Sequence, residues 1–294
     1  MTSGPHSSAA CAPPSSGNDH VCFEARGARD DMKFLLSSPQ LWAYTPVEAL
    51  AIATELGYDG VELWAYHLLR DDADPAALRR QAVDLGLVLS LHALSWDLNF
   101  CSPLEPIRNA SLALLEQSIE LAAVLGASIV VMHPGRITVP HGPAVDYWPS
   151  LVCGVRHLAQ RAAGRGPRLA VEHMERLPAE LVVSPADVHR LLADVNHPNL
   201  VVAFDFAHVP WEEEPLDYFE RMPPIGHIHL SDAGPQRYHL PLGAGERDLA
   251  AFLASLAPRY EGFVAVEGIE HQRTAALAAR NKQVWDQLVS HIPA

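Results

Sequence analysis

Short apolar runs alternate with longer amphipathic segments along most of the chain. Each run ends on a polar residue and has the length of a buried strand. The segments between the runs repeat apolar residues at the helical period, and two of them, PVEALAIATELG and PIRNASLALLEQSIELAAVLG, end at a glycine, as helices often do. The pattern predicts eight strands that alternate with helices, at residues 33–38, 60–64, 88–93, 128–133, 168–173, 200–205, 226–232 and 263–268.

This alternation predicts an α/β protein. Near-continuous apolar strands are typical of a parallel sheet that is covered on both faces. Eight successive units of strand and helix favour a closed (β/α)8 TIM barrel over an open doubly wound sheet. The chain has neither a G-x-G-x-x-G motif nor a P-loop, which argues against the nucleotide-binding alternative. We therefore predict a single barrel domain over residues 32–294.

The beginning of the chain differs in composition from the rest. Residues 1–31 are rich in Ser, Ala, Pro and Gly without an apolar period, so they are predicted to form a disordered tail. They lack the apolar core of a signal peptide, and no apolar run elsewhere approaches the roughly 18 residues that span a membrane. The sequence thus predicts a cytoplasmic protein without a membrane partner.

Deleting residues 1–31 is expected to leave the fold and the activity intact, because a segment without an apolar pattern has little to contribute to a packed core. Circular dichroism, the thermal unfolding midpoint and the activity of the full and shortened chains test this expectation. Aggregation of the shortened chain, or loss of its activity, would contradict it.

The charge balance excludes one class of partner. The 294 residues include 21 Lys and Arg against 35 Asp and Glu, a formal net charge of −14. A chain this acidic, without a basic cluster, repels phosphate backbones, so no nucleic-acid partner is expected. The four cysteines form no C-x-x-C pair and are predicted to be reduced bystanders. A small-molecule substrate is the expected partner, and homo-oligomerisation is left open.

Titratable residues close seven of the predicted strands. They recur about every 34 residues, the length of one strand and helix, so their side chains are predicted to meet at the carboxyl end of the barrel, where active sites lie. A buried ring of unpaired carboxylates and imidazoles is costly to desolvate, and a divalent cation removes that cost. The pattern therefore favours a metal site over a structural ring. The residues are Glu62, His92, His133, Glu172, Asp205, His229 and Glu267.

Seven short motifs follow one another in order along the chain: GYDGVELW, VVMHPG, LAVEH, DFAH, HIHLSDA, LPLGAG and YEGFVAVE. With these motifs the chain resembles, over about residues 32–290, the xylose-isomerase-like barrels, which comprise sugar (phosphate) isomerases and epimerases and the endonuclease-IV-like repair nucleases. The resemblance to the epimerases implies one divalent ion, held by Glu172, Asp205, His229 and Glu267. His227, the first histidine of H-x-H, is then expected to support the site or the core.

The implied ligands suit a particular chemistry. Three carboxylates and one imidazole form a mostly oxygen set that favours Mn²⁺, with Mg²⁺, Co²⁺ or Zn²⁺ as alternatives. Open coordination positions suit the adjacent carbonyl and hydroxyl oxygens of an α-hydroxyketone and stabilise an enediolate. Glu172 and Glu267 are then predicted to be the acid/base pair on opposite faces of one carbon, as an isomerase or epimerase of sugars (phosphorylated or not) requires.

Six further residues are predicted to contact the substrate. His208 in DFAH resembles a family histidine that contacts substrate oxygens. Arg237 is interpreted as a clamp for a phosphate, carboxylate or hydroxyl group. The six predicted contacts are His208, Arg237, His92, His133, Glu62 and Trp64.

Some of these contacts have alternative interpretations. Trp64 could stack on a sugar face or form a lid wall. Glu62 could touch the substrate or equally cap loop amides. His92 and His133 could bind a second metal ion that Glu172 bridges, although contact with the substrate at the barrel mouth is favoured.

The nuclease branch of the same group is an alternative to the isomerase or epimerase interpretation. Its third zinc ion needs an Asp two residues before a His, and alignment on LPLGAG places Arg237 and His239 at these positions. Because a cation cannot ligate a cation, that third site is predicted to be missing. Together with the net charge of −14, this disfavours a zinc phosphodiesterase that acts on abasic DNA.

Three other functions are alternatives for a barrel of this kind. A dehydratase acting on inososes or dehydroshikimate would employ the same metal set and is not separable by sequence. A non-catalytic metal-binding barrel also remains open. A Schiff-base aldolase is disfavoured, because the two lysines of the chain, Lys33 and Lys282, lie at the start of the first strand and in the last helix.

Overall fold

The computed structural model describes residues 32–138 and 146–292. Within this part of the chain, eight parallel strands form a closed barrel, and helices lie between successive barrel strands. The predicted (β/α)8 TIM barrel is therefore confirmed, and each strand begins and ends within about two residues of the predicted bounds. The predicted tail, residues 1–31, lies outside the described residues, so its disorder stays a prediction.

The barrel strands follow the chain in order. They are β1 (Met32–Ser37), β2 (Gly60–Trp64), β3 (Val88–His92), β4 (Ile129–Met132), β5 (Arg168–Glu172), β6 (Leu200–Asp205), β7 (Ile225–Leu230) and β10 (Gly262–Val266). An antiparallel hairpin of β8 (Asp232–Gly234) and β9 (Arg237–Leu240) lies between β7 and β10 in sequence and outside the barrel. The barrel closes where β1 pairs with β10 on one side and with β2 on the other.

The helices begin and end at residues that commonly cap helices. Thr45 and Glu48 form a capping box at the start of the first helix. Gly57 and Gly126 end two helices with φ values of 79° and 72°, a left-handed conformation that glycine adopts without strain. No described helix has the length and apolarity to cross a membrane. The helices are α1 (Pro46–Leu56), α2 (Ala65–Arg70), α3 (Pro75–Leu85), α4 (Glu105–Leu125), α5 (Trp148–Ala163), α6 (Pro185–Val195), α7 (Pro215–Glu220), α8 (Leu249–Leu256) and α9 (Ala276–Ser290).

The barrel interior changes from apolar to polar along the strands. Every second side chain of a barrel strand points inward. The lower interior is a small apolar cluster of Ile129, Val131, Ala170, Val201 and Ala203. The next inward position on these strands, two residues further along, is polar, and so is the residue two positions after Ala265. The period of two thereby delivers His133, Glu172, Asp205 and Glu267 to the carboxyl end of the barrel.

Candidate metal centre

Three carboxylates surround one ring nitrogen at the carboxyl end of the barrel. His229 Nδ1 lies 3.1 Å from Glu172 Oε1, 3.4 Å from Glu267 Oε1 and 3.9 Å from Asp205 Oδ2. The side chains come from β5, β6, β7 and the residue that follows β10, which are neighbours in the barrel, and all four are buried. The structure thus brings together the four residues that the sequence interpretation assigned to one metal ion.

Two oxygens of this group have no hydrogen-bond donor in the described part of the chain, Asp205 Oδ2 and Glu172 Oε2. The other oxygen of Asp205, Oδ1, accepts a hydrogen bond of 2.7 Å from the backbone N–H of Ala207. That bond orients the carboxylate and leaves Oδ2 facing His229. A buried polar atom without a partner costs about 1–3 kcal/mol. A cation held between these atoms would remove that cost.

The side chains of this group shift one another's pKa values. Burial raises the pKa of Glu172, but attraction to His229 and His133 outweighs it and holds this pKa well below its ordinary value. Burial raises the pKa of Glu267 to about 8, against the attraction of His229 and with the support of the Asp205 charge. Burial lowers the pKa of His229, but Glu267 and the other carboxylates outweigh it and raise this pKa well above the ordinary value. The burial of three carboxylates around one imidazole is thus the common cause of these shifts.

A second group of donor atoms lies beside the first, at the ends of β3 and β4. Glu172 Oε2 is 3.3 Å from His133 Nε2 and 3.8 Å from His92 Nε2. His92 Nδ1 lies 2.8 Å from the backbone oxygen of Ala93, to which it donates when it carries the ring hydrogen. Glu172 therefore faces His229 with one oxygen and the two other histidines with the second. This geometry suits both interpretations of the pair, a substrate contact and a second ion.

A third group connects the loop after β6 with the hairpin. His208 Nε2 lies 3.3 Å from His239 Nε2 and 3.3 Å from Glu175 Oε1. His239 adopts a left-handed backbone conformation with φ of 51°, which costs a residue other than glycine about 1–3 kcal/mol. Its Nδ1 lies 3.1 Å from Ser231 Oγ and 3.3 Å from Glu267 Oε2. These contacts hold the imidazole of His239 over the carboxylates.

Residues of all three groups line a cavity of about 430 Å³ at the mouth of the barrel. Apolar side chains lie among them. The ring of Trp64 stacks on His92 with a centroid distance of 4.4 Å, and its Nε1 donates a hydrogen bond of 3.0 Å to Ser37 Oγ. Trp96 packs edge-on against Trp64 with a centroid distance of 5.7 Å. The apolar residues that line the cavity are Trp64, Trp96, Met174 and Ile269.

Four of the six predicted substrate contacts line this cavity: His208, His92, His133 and Trp64. Arg237 does not line it, and its side chain is exposed on β9. The position after the hairpin turn directs Arg237 outward, while His239, two residues later, reaches the cavity. The assignment of Arg237 as a substrate clamp therefore receives no support from this geometry.

Glu62 lies deeper in the barrel than predicted. In the pairing of β2 with β3, Glu62 lies opposite Ser90, whereas Trp64 lies opposite His92. Trp64, the last residue of β2, lines the cavity in its place. Glu62 is fully buried and neither lines the cavity nor caps a described loop amide. It contacts the histidines of β7 instead.

The cavity residues that sequence reasoning missed include Glu175, Met174 and Ile269. All three lie on loops directly after β5 or β10, where the strand pattern has already ended. The acidic side chain of Glu175, three residues after Glu172, was the one available signal. Burial raises the pKa of Glu175, but hydrogen bonding and attraction to His208 outweigh it and lower this pKa to about 2. Glu175 therefore adds a fixed negative charge to the cavity wall.

The aspartate of HIHLSDA has a structural role. Asp232 Oδ2 accepts a hydrogen bond of 2.9 Å from the backbone N–H of Gly245, and Oδ1 accepts one of 2.9 Å from that of Ala233. A Cβ atom at Gly245 would lie 2.2 Å from Asp232 Oδ1, so only glycine fits there. The contact between these two motifs fixes the loop that follows the hairpin, whose second strand carries His239.

The chain has relatives among sugar epimerases. It is 26% identical over 239 residues to fructoselysine 3-epimerase of Shigella flexneri, covering 76% of this chain and 85% of that protein. It is 26% identical over 250 residues to 3-dehydro-D-guloside 4-epimerase of Escherichia coli, covering 81% of this chain and 93% of the relative.

A solved structure shares the fold. The crystal structure of a D-tagatose 3-epimerase-like protein matches with a TM-score of 0.77 and 22% identity, covering 89% of this chain and 98% of the other. Residues 50–292 match the family described as xylose isomerase-like TIM barrel. That match spans most of the barrel, from the first helix to the end of the described chain. The chain therefore belongs to the xylose isomerase-like TIM-barrel family.

Proposed function

We propose that this protein is a divalent-metal-dependent epimerase that inverts a carbon next to the carbonyl group of an uncharged ketosugar. The observation that carries the proposal is the convergence of Glu172, Asp205 and Glu267 on His229 Nδ1 at the base of an open cavity. The two relatives, which are a 3-epimerase and a 4-epimerase of sugar compounds, support the same reaction class.

The four residues fit a divalent cation. An oxygen of each of the three carboxylates lies within 3.9 Å of His229 Nδ1. Asp205 Oδ2 is buried without a hydrogen-bond donor among the described residues. This mostly oxygen set favours Mn²⁺, with Mg²⁺, Co²⁺ or Zn²⁺ as alternatives. When bound, the cation would polarise the substrate carbonyl and acidify the adjacent C–H group.

Glu172 and Glu267 are placed to move protons at a substrate held above His229. They line the same cavity, and β6 and β7 separate the strands that carry them. Their environments push their pKa values apart, that of Glu172 well below its ordinary value and that of Glu267 up to about 8. Such a difference suits one carboxylate to the role of base and the other to that of acid. The base removes the C–H proton to leave an enediolate, and the acid returns a proton to the opposite face.

The charge of the cavity wall argues for an uncharged substrate. None of the described residues that line it is Lys or Arg, whereas Glu172, Glu175 and Glu267 are acidic. The arginine that follows the β4 strand end, Arg136, is engaged with Glu180 at 2.9 Å. A phosphate group in this cavity would therefore find no lysine or arginine among the described lining residues to hold it.

A ketose that the enzyme epimerises is expected to have a kcat/KM at least about tenfold higher than its terminal phosphate, because about 1.4 kcal/mol of charge repulsion suffices for that factor. Steady-state assays of each such pair, D-fructose and D-fructose 6-phosphate among them, test this with Mn²⁺ present. A higher value for the phosphate, lost in Arg237→Ala with unchanged metal content, would instead establish Arg237 as an anion clamp.

A panel of ketoses and ketoglycosides, incubated with Mn²⁺ in D₂O and examined by NMR, tests the function itself. An epimerase yields an inverted product with deuterium at the inverted carbon. An unsaturated product formed by loss of water would identify a dehydratase. Three zinc ions per chain together with cleavage of abasic DNA would identify a nuclease, and metal binding without turnover of any substrate would identify a binding protein.

A further inference from the structure

A layer of buried polar side chains lies directly beneath the carboxylates of the candidate metal centre. Glu62 Oε1 is 3.1 Å from His229 Nε2, and Glu62 Oε2 is 2.8 Å from His227 Nε2. Ser90 Oγ donates a hydrogen bond of 3.2 Å to Glu62 Oε2. All four side chains are 0% exposed. A carboxylate so far from water needs polar partners to offset its desolvation, and two of its partners belong to the H-x-H motif of β7.

The two ring nitrogens of His229 face different carboxylates. Nδ1 faces Glu172 and Glu267, at the centre assigned to the metal, while Nε2 faces Glu62 on the opposite side of the ring. A neutral imidazole carries one hydrogen and one lone pair. A cation bound at Nδ1 would take its lone pair and exclude a hydrogen there, so the ring hydrogen would have to lie on Nε2. Glu62 Oε1 is the carboxylate oxygen beside Nε2, and neither of these two atoms has a hydrogen-bond partner elsewhere among the described residues. Glu62 is therefore the group that can stabilise the form of His229 in which the Nδ1 lone pair points at the centre.

His227 and the barrel geometry keep Glu62 in this position. β2 and β7 are not neighbours in the barrel, since β1 and β10 lie between them. The side chain of Glu62 therefore crosses the barrel interior from β2 to reach β7. Its Oε1 faces His229, while His227 contacts its Oε2. With Ser90 on the adjacent strand holding that same oxygen, rotation of the carboxylate away from His229 would break two contacts.

We infer that Glu62 is a positioning residue for the metal centre, which holds the hydrogen on His229 Nε2 and so presents Nδ1 to the cation. The inference rests on the proposed function, because it needs a cation at His229. Metal-bound histidines commonly pass their second ring N–H to a carboxylate, and loss of that partner typically costs about 10- to 100-fold in metal affinity. Glu62 acts through His229 and lies too deep to touch the substrate.

Glu62→Gln tests this inference in the full-length chain. Gln keeps the size of the side chain and an acceptor oxygen but removes the charge that favours the hydrogen on Nε2. After removal of metal with a chelator, titration with Mn²⁺ followed by electron paramagnetic resonance gives the dissociation constant. We expect about 10- to 100-fold weaker binding in the variant, with KM for the substrate unchanged at saturating Mn²⁺. Glu116→Gln, which makes the same change in a carboxylate that pairs with His157 away from the cavity, is the matched control and should bind Mn²⁺ as tightly as the parent.

Each outcome of this experiment decides a separate question. Equal Mn²⁺ affinity in Glu62→Gln and the parent would overturn the inference, and so would a raised KM with unchanged metal affinity, which would make Glu62 a substrate contact. If Glu62→Gln does not fold, Glu62→Asp retains the charge but shortens its reach to His229, and unchanged affinity in that variant would also overturn the inference. A parent protein that binds no Mn²⁺ would instead refute the proposed function.

Discussion

Replacing either Glu172 or Glu267 by Gln is expected to slow epimerisation by about 10²- to 10⁴-fold, the usual contribution of a positioned acid or base. Gln keeps the size of the side chain and one oxygen that can face a cation, but it cannot accept a proton from carbon. Each variant should therefore retain at least some metal and lose proton transfer. Elemental analysis and steady-state assays of the two variants measure these quantities separately.

Solvent exchange distinguishes the two faces of the carbon. A two-base mechanism allows exchange of the substrate C–H with deuterium to survive in one variant, on the face that the remaining carboxylate serves, although net inversion is lost. Glu116→Gln is a control on the outer face of α4, where Glu116 Oε1 pairs with His157 Nε2 at 2.7 Å. It makes the same chemical change far from the cavity and should keep the parent rate.

Two results would contradict this mechanism. If both Gln variants bind metal and turn over at the parent rate, neither carboxylate is the base. If the parent transfers hydrogen between neighbouring carbons without exchange into D₂O, the reaction is an isomerisation by hydride shift. The first result would show that Glu172 and Glu267 do not transfer the proton. The second would leave the metal centre in place but assign it an isomerisation instead of an epimerisation.

Asp205→Asn is expected to weaken Mn²⁺ binding by at least about 100-fold, at or beyond the upper end of the effect of losing a supporting partner. Asn retains an oxygen that can accept the hydrogen bond from Ala207 N–H, so the local fold is preserved. The substitution replaces the charged oxygen Asp205 Oδ2, which faces His229, by an uncharged amide group that binds a cation more weakly. At micromolar Mn²⁺ the variant should therefore lose its activity together with its metal.

Thermal unfolding with and without Mn²⁺ measures this effect independently of activity. An ion at 100 times its dissociation constant stabilises the parent by about 2.7 kcal/mol, and a 100-fold weaker site retains about 0.4 kcal/mol of this. The stabilisation by Mn²⁺ should thus nearly vanish in Asp205→Asn and persist in Asp194→Asn, which changes a half-exposed carboxylate on α6. Full Mn²⁺ stabilisation of Asp205→Asn would place the ion elsewhere.

The number of bound ions is a separate expectation. Each parent chain should bind one divalent ion tightly; a second ion is compatible with the site, whereas three are not expected.

The sequence by itself determined the fold and the identity of the residues that could form a centre. The period of two in the strands is a local property, because consecutive side chains of any strand point to opposite faces. It therefore allowed the eight strands to be located, and it identified Glu172, Asp205, His229 and Glu267 as polar ends of apolar runs. The apolar residues that precede them, such as Val201 and Ala203, had to point inward for the barrel to bury them.

Only the tertiary structure decided depth, direction and partnership. The stagger between neighbouring strands sets Glu62 opposite Ser90 and a layer below the cavity, and no pattern within β2 reveals this, because stagger is a relation between two strands. The hairpin turn and the left-handed backbone of His239 direct that residue inward and Arg237 outward. Glu175 reaches His208 from a loop that has no period at all. Contacts of this kind depend on the packing of segments remote in sequence, which the linear order of the residues does not encode locally.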